Sequence, residues 1–367
     1  MGGCSRVFVL LFPVLLGSCQ GIFTKNPESE RRVDNQLSTQ FQEGNCTKKT
    51  KIKKFAVYYG IPHLVKEVGK EQCGPSLEEK ILCATNIFSG FDFVVLGADL
   101  EQEKRKSHGP TKEIIEHASG TRFYGYVNLG NLNKDKFYSI AELQDKIFLI
   151  KKMGGQGVFV DEAGFDFWTN GKSTYRERLN AVLDAIHNEG LVALVNAWIP
   201  EDIFTSFPEM PAHLQKGDAF ILESYIFSSK KFPFQHYRHR VSVCIEAKKK
   251  LGISIYGTTV STDEPSKFTS EKWKYLSLSA HFDGMDAIGW AENEFSATNN
   301  LLRVPPNDFL SVVVEENGKH LLDVTNEIQE KPIFISDFIH NFTLSYKNRE
   351  IKEKIFKIEK KLVECQN

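Results

Sequence analysis

Apolar residues cluster along this chain in short runs, and most of the runs break on Gly, Asn, Asp or Glu. Seven of them read as strands: Phe55 to Gly60, Phe91 to Gly97, Arg122 to Asn128, Gly157 to Val160, Leu191 to Asn196, Ala219 to Leu222 and Ile253 to Gly257. An eighth lies within Gly284 to Trp290. Nearly continuous apolar strands are what a parallel sheet buried on both faces requires. The stretches between them carry the helical period. Leu179, Val182, Leu183 and Ile186 share one face within Tyr175 to Asn188, and Glu189-Gly190 marks the stop. Ile140 to Lys152, Phe234 to Leu251 and Ser270 to His281 are further helices, and Thr111 to Ser119 is a shorter one; Phe234 to Leu251 ends on lysines, which suit a helix C-terminus.

Eight strands alternating with helices predict an α/β fold, a (β/α)8 TIM barrel, over residues 52–300. An open doubly wound sheet fits less well, because neither Gly-x-Gly-x-x-Gly nor a Walker lysine motif follows the first strand. Residues 301–367 form an extension expected to pack on the barrel. In it Phe309 to Val314 reads as a strand, and Ile351, Ile355, Ile358 and Leu362 mark a C-terminal amphipathic helix.

The first residues change the picture of where the chain resides. Arg6 precedes an apolar run from Val7 to Leu16, too short to span a bilayer, so residues 1–19 read as a signal peptide. Leu16-Gly17-Ser18-Cys19 is similar to a lipobox, which makes Cys19 a lipidation candidate and the product either secreted or tethered to a membrane of the cell envelope. Residues 20–51 are polar and read as a linker. An oxidising compartment allows Cys73 and Cys83 to pair around the first helix, without settling the pairing. The net charge of -1 over 367 residues gives no reason to expect a nucleic-acid partner. A monomer is expected.

The candidate chemistry sits at the strand ends. Gly157-Val158-Phe159-Val160 runs into Asp161 and Glu162, with Asp166 following, and Ala219-Phe220-Ile221-Leu222 runs into Glu223. Asp161 and Glu223, at the ends of two strands, are the pair that glycosidic cleavage needs: a proton donor at the leaving oxygen and a second carboxylate at the anomeric centre. Either acid alone could instead be structural, Asp161 as a helix cap and Glu223 in an ion pair. Tyr58, Tyr59, Tyr124, Tyr126, Trp198, Tyr225, Tyr256 and Trp290 stand at or just beyond strand ends where aromatic rings could stack on sugar faces, with Asn128 and Asn196 for hydroxyl groups. Glu162 and Asp166 are expected beside them as substrate-binding acids. No cofactor is expected. An acidic cluster of Asp99, Asp161, Glu162 and Asp166 could hold a hard cation, but no EF-hand spacing supports it, and no metal site is assigned.

The order Tyr58-Tyr59-Gly60, Gly125-Tyr126-Val127-Asn128-Leu129-Gly130, Gly157 to Asp161, then Glu223-Ser224-Tyr225 resembles glycoside hydrolase family 114, the endo-α-1,4-polygalactosaminidase-like barrels, over about residues 52 to 295. The resemblance implies cleavage of an α-linked amino-sugar polysaccharide. It implies Asp161 and Glu223 as the catalytic pair, Asp161 as nucleophile and Glu223 as general acid/base if the mechanism is retaining, with Tyr58, Tyr126 and Asn128 lining the cleft. Glu162-Ala163-Gly164-Phe165-Asp166 departs from characterised members and leaves room for another glycan. The other readings are a glycan-binding surface protein that keeps the barrel without turnover, and a metal-dependent hydrolase using the acidic cluster.

Overall fold

The computed structural model describes residues 52–306 except 71–72, 131–136, 168–170, 227–233, 260–267 and 298, together with the strands Leu310–Val314, His320–Val324 and Ile333–Phe334. The signal, linker and C-terminal helix expected from the sequence lie outside the described residues.

All eight predicted strands form. They are β1 (Lys53–Tyr58), β2 (Phe93–Leu96), β3 (Arg122–Asn128), β4 (Gly157–Asp161), β5 (Val192–Asn196), β6 (Ala219–Leu222), β7 (Ser254–Thr258) and β8 (Ala287–Gly289). Each pairs in parallel with the next, and Lys53 beside Ala287 joins β1 to β8, so the sheet is a closed barrel. The expected (β/α)8 fold is therefore present.

The helices sit where the period placed them, with a first one added. They are α1 (Leu77–Phe88), α2 (His108–His117), α3 (Ile140–Met153), α4 (Lys172–Asn188), α5 (Phe234–Leu251) and α6 (Ser270–Phe282). Local chemistry fixes their ends. Ser76 and Glu79 form a reciprocal capping box at α1, and Ser139 and Glu142 form one at α3. Each satisfies two amides that would otherwise lack partners. Gly154 ends α3 at φ 104°, a conformation open to glycine without a Cβ clash. A disulfide joins Cys73 to Cys83, tying the approach to α1 to its second turn. Cys244, on α5, is buried and free.

Strand parity sorts the core into two layers, because successive side chains point to opposite faces. Phe55, Val57, Phe93, Val95, Tyr124, Phe159, Leu194, Ala219, Ile221, Tyr256 and Ala287 fill the barrel interior. Their neighbours, such as Val94, Val127, Val158, Val160, Val195, Phe220 and Ile255, face outward onto the helices. Outside the barrel, Lys66–Glu67 pairs with Leu301–Leu302, which brings the chain after β8 back against the loop after β1. Farther on, the strand expected from Phe309 forms as Leu310–Val314 and pairs antiparallel with His320–Val324.

Candidate active site

Parity also decides which side chains reach the C-terminal mouth of the barrel. Continuing the inward series gives Tyr59 after Val57, Tyr126 and Asn128 after Tyr124, and Asp161 after Phe159. It gives Asn196 after Leu194 and Glu223 after Ile221. Asn128 and Asp161 are register partners, so they stand at one level.

Asp161 is the centre of the hydrogen bonding. Its Oδ2 accepts the Tyr126 hydroxyl at 2.7 Å. Its Oδ1 accepts the Asn196 Nδ2 and the Glu162 backbone N–H, each at 2.9 Å. Asn128 Nδ2 donates at 3.3 Å to the Tyr126 oxygen. The same Asn196 Nδ2 that bonds Asp161 also donates to Glu223 Oε1 at 2.9 Å. Two bonds of 2.9 Å from one nitrogen limit the two acceptor oxygens to twice that length, 5.8 Å. With one amide hydrogen to each, at the trigonal angle, the separation is about 5 Å.

The surroundings treat the two acids differently. Burial, with the Asp161 charge adding to it, pushes Glu223 up to about 7, against the pull of the Asn196 hydrogen bond and the Arg240 charge. Asp161 instead has three donors aimed at it, the arrangement that serves an anion. Glu162 is raised as well, by burial first and then by Asp161. Burial, followed by the charge of Asp161, holds the phenols of Tyr59 and Tyr126 well above their ordinary range, so both stay neutral donors.

The backbone after each acid is held in an uncommon conformation. Glu162 has φ 55° and Ser224 has φ 55°. Among the described residues the non-glycine positive-φ positions are Asp99, Glu162, Ser224, Ile226, Phe295, Ser296 and Asn300, and each follows a strand on the mouth side of the barrel. Such backbone persists only where the surroundings over-determine it. Here they do. The Glu162 carbonyl accepts the Tyr175 hydroxyl, and Ala163 N–H donates to the Asn196 carbonyl at 2.9 Å. Phe165 N–H donates to the buried Asp202 at 2.9 Å. On the other strand, Arg240 of α5 donates to the carbonyls of Glu223 and Trp198, both at 3.1 Å, and its guanidinium lies 5.3 Å from the Trp198 ring centre.

Of the residues expected from the sequence, Tyr126, Asn128, Asp161, Glu162, Asn196 and Glu223 come together. Five aromatics expected in the cleft do not; one of them, Tyr256, fills the barrel interior stacked on Phe93. Tyr58 points outward, edge-on to Phe88, and its hydroxyl donates to the Ile61 carbonyl and Asn300. Tyr124 points inward but lies deeper, beside Gly157 at the far end of β4, packed on Phe93. Tyr225 covers Gly257 on the outside of the barrel and donates to Asp283 at 2.9 Å. Trp290 is buried in the outer layer against Phe268. Asp166 is exposed on the turn Phe165–Phe167 and makes none of the bonds to Asp161. Asp99, from the acidic cluster considered for a cation, is instead paired with Lys146 and Arg105 at 2.8 Å. Among the described residues no three His, Cys, Asp or Glu side chains form a group that could hold a metal ion.

Arg240 is the residue of the site that sequence reasoning did not nominate, whereas Tyr59 was expected among the strand-end aromatics and lies at the mouth. Tyr59 stacks edge-on to Tyr126 and Phe295, and its ring feels the charges of all three acids. Counting by two from inward Phe55 and Val57 reaches it. No local signal marks Arg240, one basic residue among several on its helix.

No protein-family model matches the chain, and no curated protein matches it. Among solved structures it is similar to Ega3 of Aspergillus fumigatus in complex with galactosamine, at 12% identity and TM-score 0.41, covering 72% of this chain and 98% of that one. It is similar to the glycoside hydrolase domain of PgaB from Bordetella bronchiseptica, at 10% identity and TM-score 0.43, covering 68% and 96%. Pyruvate carboxylase of Rhizobium etli matches at 13% identity and TM-score 0.39, covering 68% of this chain and 26% of that one. Likenesses of this size, to a carboxylase as well as to a glycoside hydrolase domain, carry no argument about chemistry.

Proposed function

We propose that this protein is a retaining glycoside hydrolase that cleaves an α-linked amino-sugar polysaccharide, with Glu223 as general acid/base and Asp161 as nucleophile. The observation that carries the reading is the carboxylate pair bridged by Asn196 at the mouth of the barrel. Retaining enzymes hold their two carboxyl groups about 5–5.5 Å apart, and inverting ones leave about 6.5–9.5 Å for a water molecule. An oxygen separation of at most 5.8 Å favours the first.

The environments fit the division of roles. A carboxyl raised to about 7 keeps its proton near neutral pH and can give it to the leaving oxygen as the glycosidic bond breaks. Asp161, held by Tyr126, Asn196 and the Glu162 amide, can bond to the anomeric carbon as that bond opens. Glu223, now a carboxylate, then takes a proton from water, and the water oxygen displaces Asp161. Tyr59, beside Tyr126 at the mouth, offers an aromatic ring for the apolar side of a sugar. The amino-sugar substrate and the kinship with family 114 rest on the ordered strand-end motifs. Export with a lipidated Cys19 belongs to the same proposal.

Product analysis after incubation with amino-sugar polymers, polygalactosamine included, tests the reaction. Asp161→Asn and Glu223→Gln should each abolish cleavage and leave the circular dichroism spectrum unchanged. Full activity in either variant would sink the assignment. NMR of the first-released anomer tests retention, since an inverted product excludes Asp161 as nucleophile.

A further inference from the structure

We infer that Asn196 is a positioning residue whose single amide nitrogen serves as the shared hydrogen-bond donor of both carboxylates and follows the negative charge from one to the other during turnover. The inference rests on the reading of Asp161 and Glu223 as the reacting pair. The sequence suggested a different task for Asn196, that of binding substrate hydroxyls. The structure leaves it little capacity for that. Its Nδ2 is spent on Asp161 Oδ1 and Glu223 Oε1, both at 2.9 Å. The side chain is buried, and its Oδ1 is sealed without a hydrogen-bond partner.

The orientation of the amide is forced by its neighbours. Turning it over would aim Oδ1 at the Asp161 carboxylate, acceptor against acceptor, and leave that anion without its Asn196 donor. Holding it this way buries an unpaired carbonyl oxygen, which disfavours the folded state. A residue selected for packing alone would be a small aliphatic side chain, like the adjacent Ala197. What Asn offers in return is one N–H for each acid.

The chemistry explains the need for two. Before reaction the charge is on Asp161 and the proton on Glu223. When the glycosidic C–O bond breaks, the proton passes from Glu223 to the leaving oxygen, and an Asp161 oxygen bonds to the anomeric carbon. The charge thereby leaves Asp161 and arises on Glu223. Water then gives a proton to Glu223 and its oxygen to the anomeric carbon, and Asp161 departs as an anion. In each half-reaction one N–H of Asn196 already faces the carboxylate where charge develops. No side chain has to move, which is the condition for preorganised stabilisation.

Asn196→Ala and Asn196→Gln test this. The Glu223 carboxyl is followed by 13C NMR titration in the wild-type protein and both variants, and kcat and KM are measured across pH. In Asn196→Ala the Glu223 midpoint should move upward, because the bond that favours its ionised form is gone. Loss of a hydrogen bond to a charged group should lower kcat roughly tenfold to a hundredfold. KM should stay nearly constant, and the alkaline limb of the rate profile should shift with the NMR midpoint. The thermal midpoint should not fall, since the sealed carbonyl goes too. Asn196→Gln should restore part of kcat. A merely structural Asn196 would lower the melting temperature and leave the Glu223 titration in place, which overturns the inference. A rise in KM with kcat retained would return Asn196 to substrate binding and overturn it equally. The NMR arm needs no substrate, so a wild-type protein that cleaves no glycan refutes the glycosidase reading while the upward shift still reports the bridge.

Discussion

Replacing Glu223 with Gln removes a proton equilibrium while keeping the side chain's shape, and the two chains should part company as pH rises. In the fold the Glu223 carboxyl titrates at about 7, against an ordinary value of 4.5. Below pH 4.5 it is protonated in both the folded and the unfolded chain, and Gln is a fair copy of it. Between 4.5 and about 7 the folded chain holds a proton that the unfolded chain has released, so wild-type stability falls with rising pH. Above 7 that loss is complete. The interval, about 2.5 pH units at about 1.36 kcal/mol each, amounts to about 3 kcal/mol. The Gln variant is spared it.

Urea unfolding of both proteins at about pH 4 and about pH 8.5 measures the effect. The stability of Glu223→Gln relative to wild type should grow by about 3 kcal/mol between the two conditions, while activity is lost at both. A difference that does not depend on pH refutes the reasoning, because Glu223 would then titrate alike in the two states. A difference of the opposite sign would show that the site favours the ionised form and would remove the basis for a general acid at this position. Stability gained where activity is lost is the signature expected of a buried catalytic carboxyl.

Asp161→Asn should lower the Glu223 midpoint without returning it to the ordinary value, since burial is the larger cause and the Asp161 charge the next; 13C titration of the variant reads this directly. Gly157→Ala should lose roughly 1–3 kcal/mol in thermal or urea unfolding, because its Cβ would come within 2.4 Å of the Tyr124 ring and 2.8 Å of the Val192 carbonyl oxygen. Replacing Cys73 and Cys83 together with Ser opens a loop with a sequence separation of 10, and unfolding measurements should show a loss of roughly 2–3 kcal/mol.

The barrel was legible because its strands are buried on both faces and therefore nearly continuous in apolar residues, and because helical periodicity with stops such as Glu189-Gly190 fills the stretches between them. The two acids were legible as the points where apolar runs end. The cleft aromatics required a second step. Near a strand end the period of two decides whether a ring faces the cleft or the helices, so Tyr59 lines the mouth and its neighbour Tyr58 packs on Phe88. By the same count Trp290, next to inward Gly289, belongs outside. Parity alone does not give depth. Tyr124 and Tyr126 both point inward, yet the strand stagger sets Tyr124 level with Gly157 and Asn128 level with Asp161. That register follows from barrel closure, a property of all eight strands together.

Tyr225 lay beyond any such rule, and the reason bears on the chemistry. Its inward parity is broken by the positive φ of Ser224, which turns the chain outward directly after Glu223. Glu162 does the same directly after Asp161. Neither position carries the glycine that would announce a left-handed turn. Both turns depend on distant partners, the Tyr175 hydroxyl for one and Arg240 on the Glu223 carbonyl for the other. The sharp turns end the two strands at the carboxylates, so each acid stands half-buried at the mouth of the barrel, with Asn196 hydrogen-bonded to both. The strain, the sealed carbonyl of Asn196 and the raised Glu223 all act against stability at one place. Their convergence on the same pair of acids is what the proposed active site requires and packing alone does not.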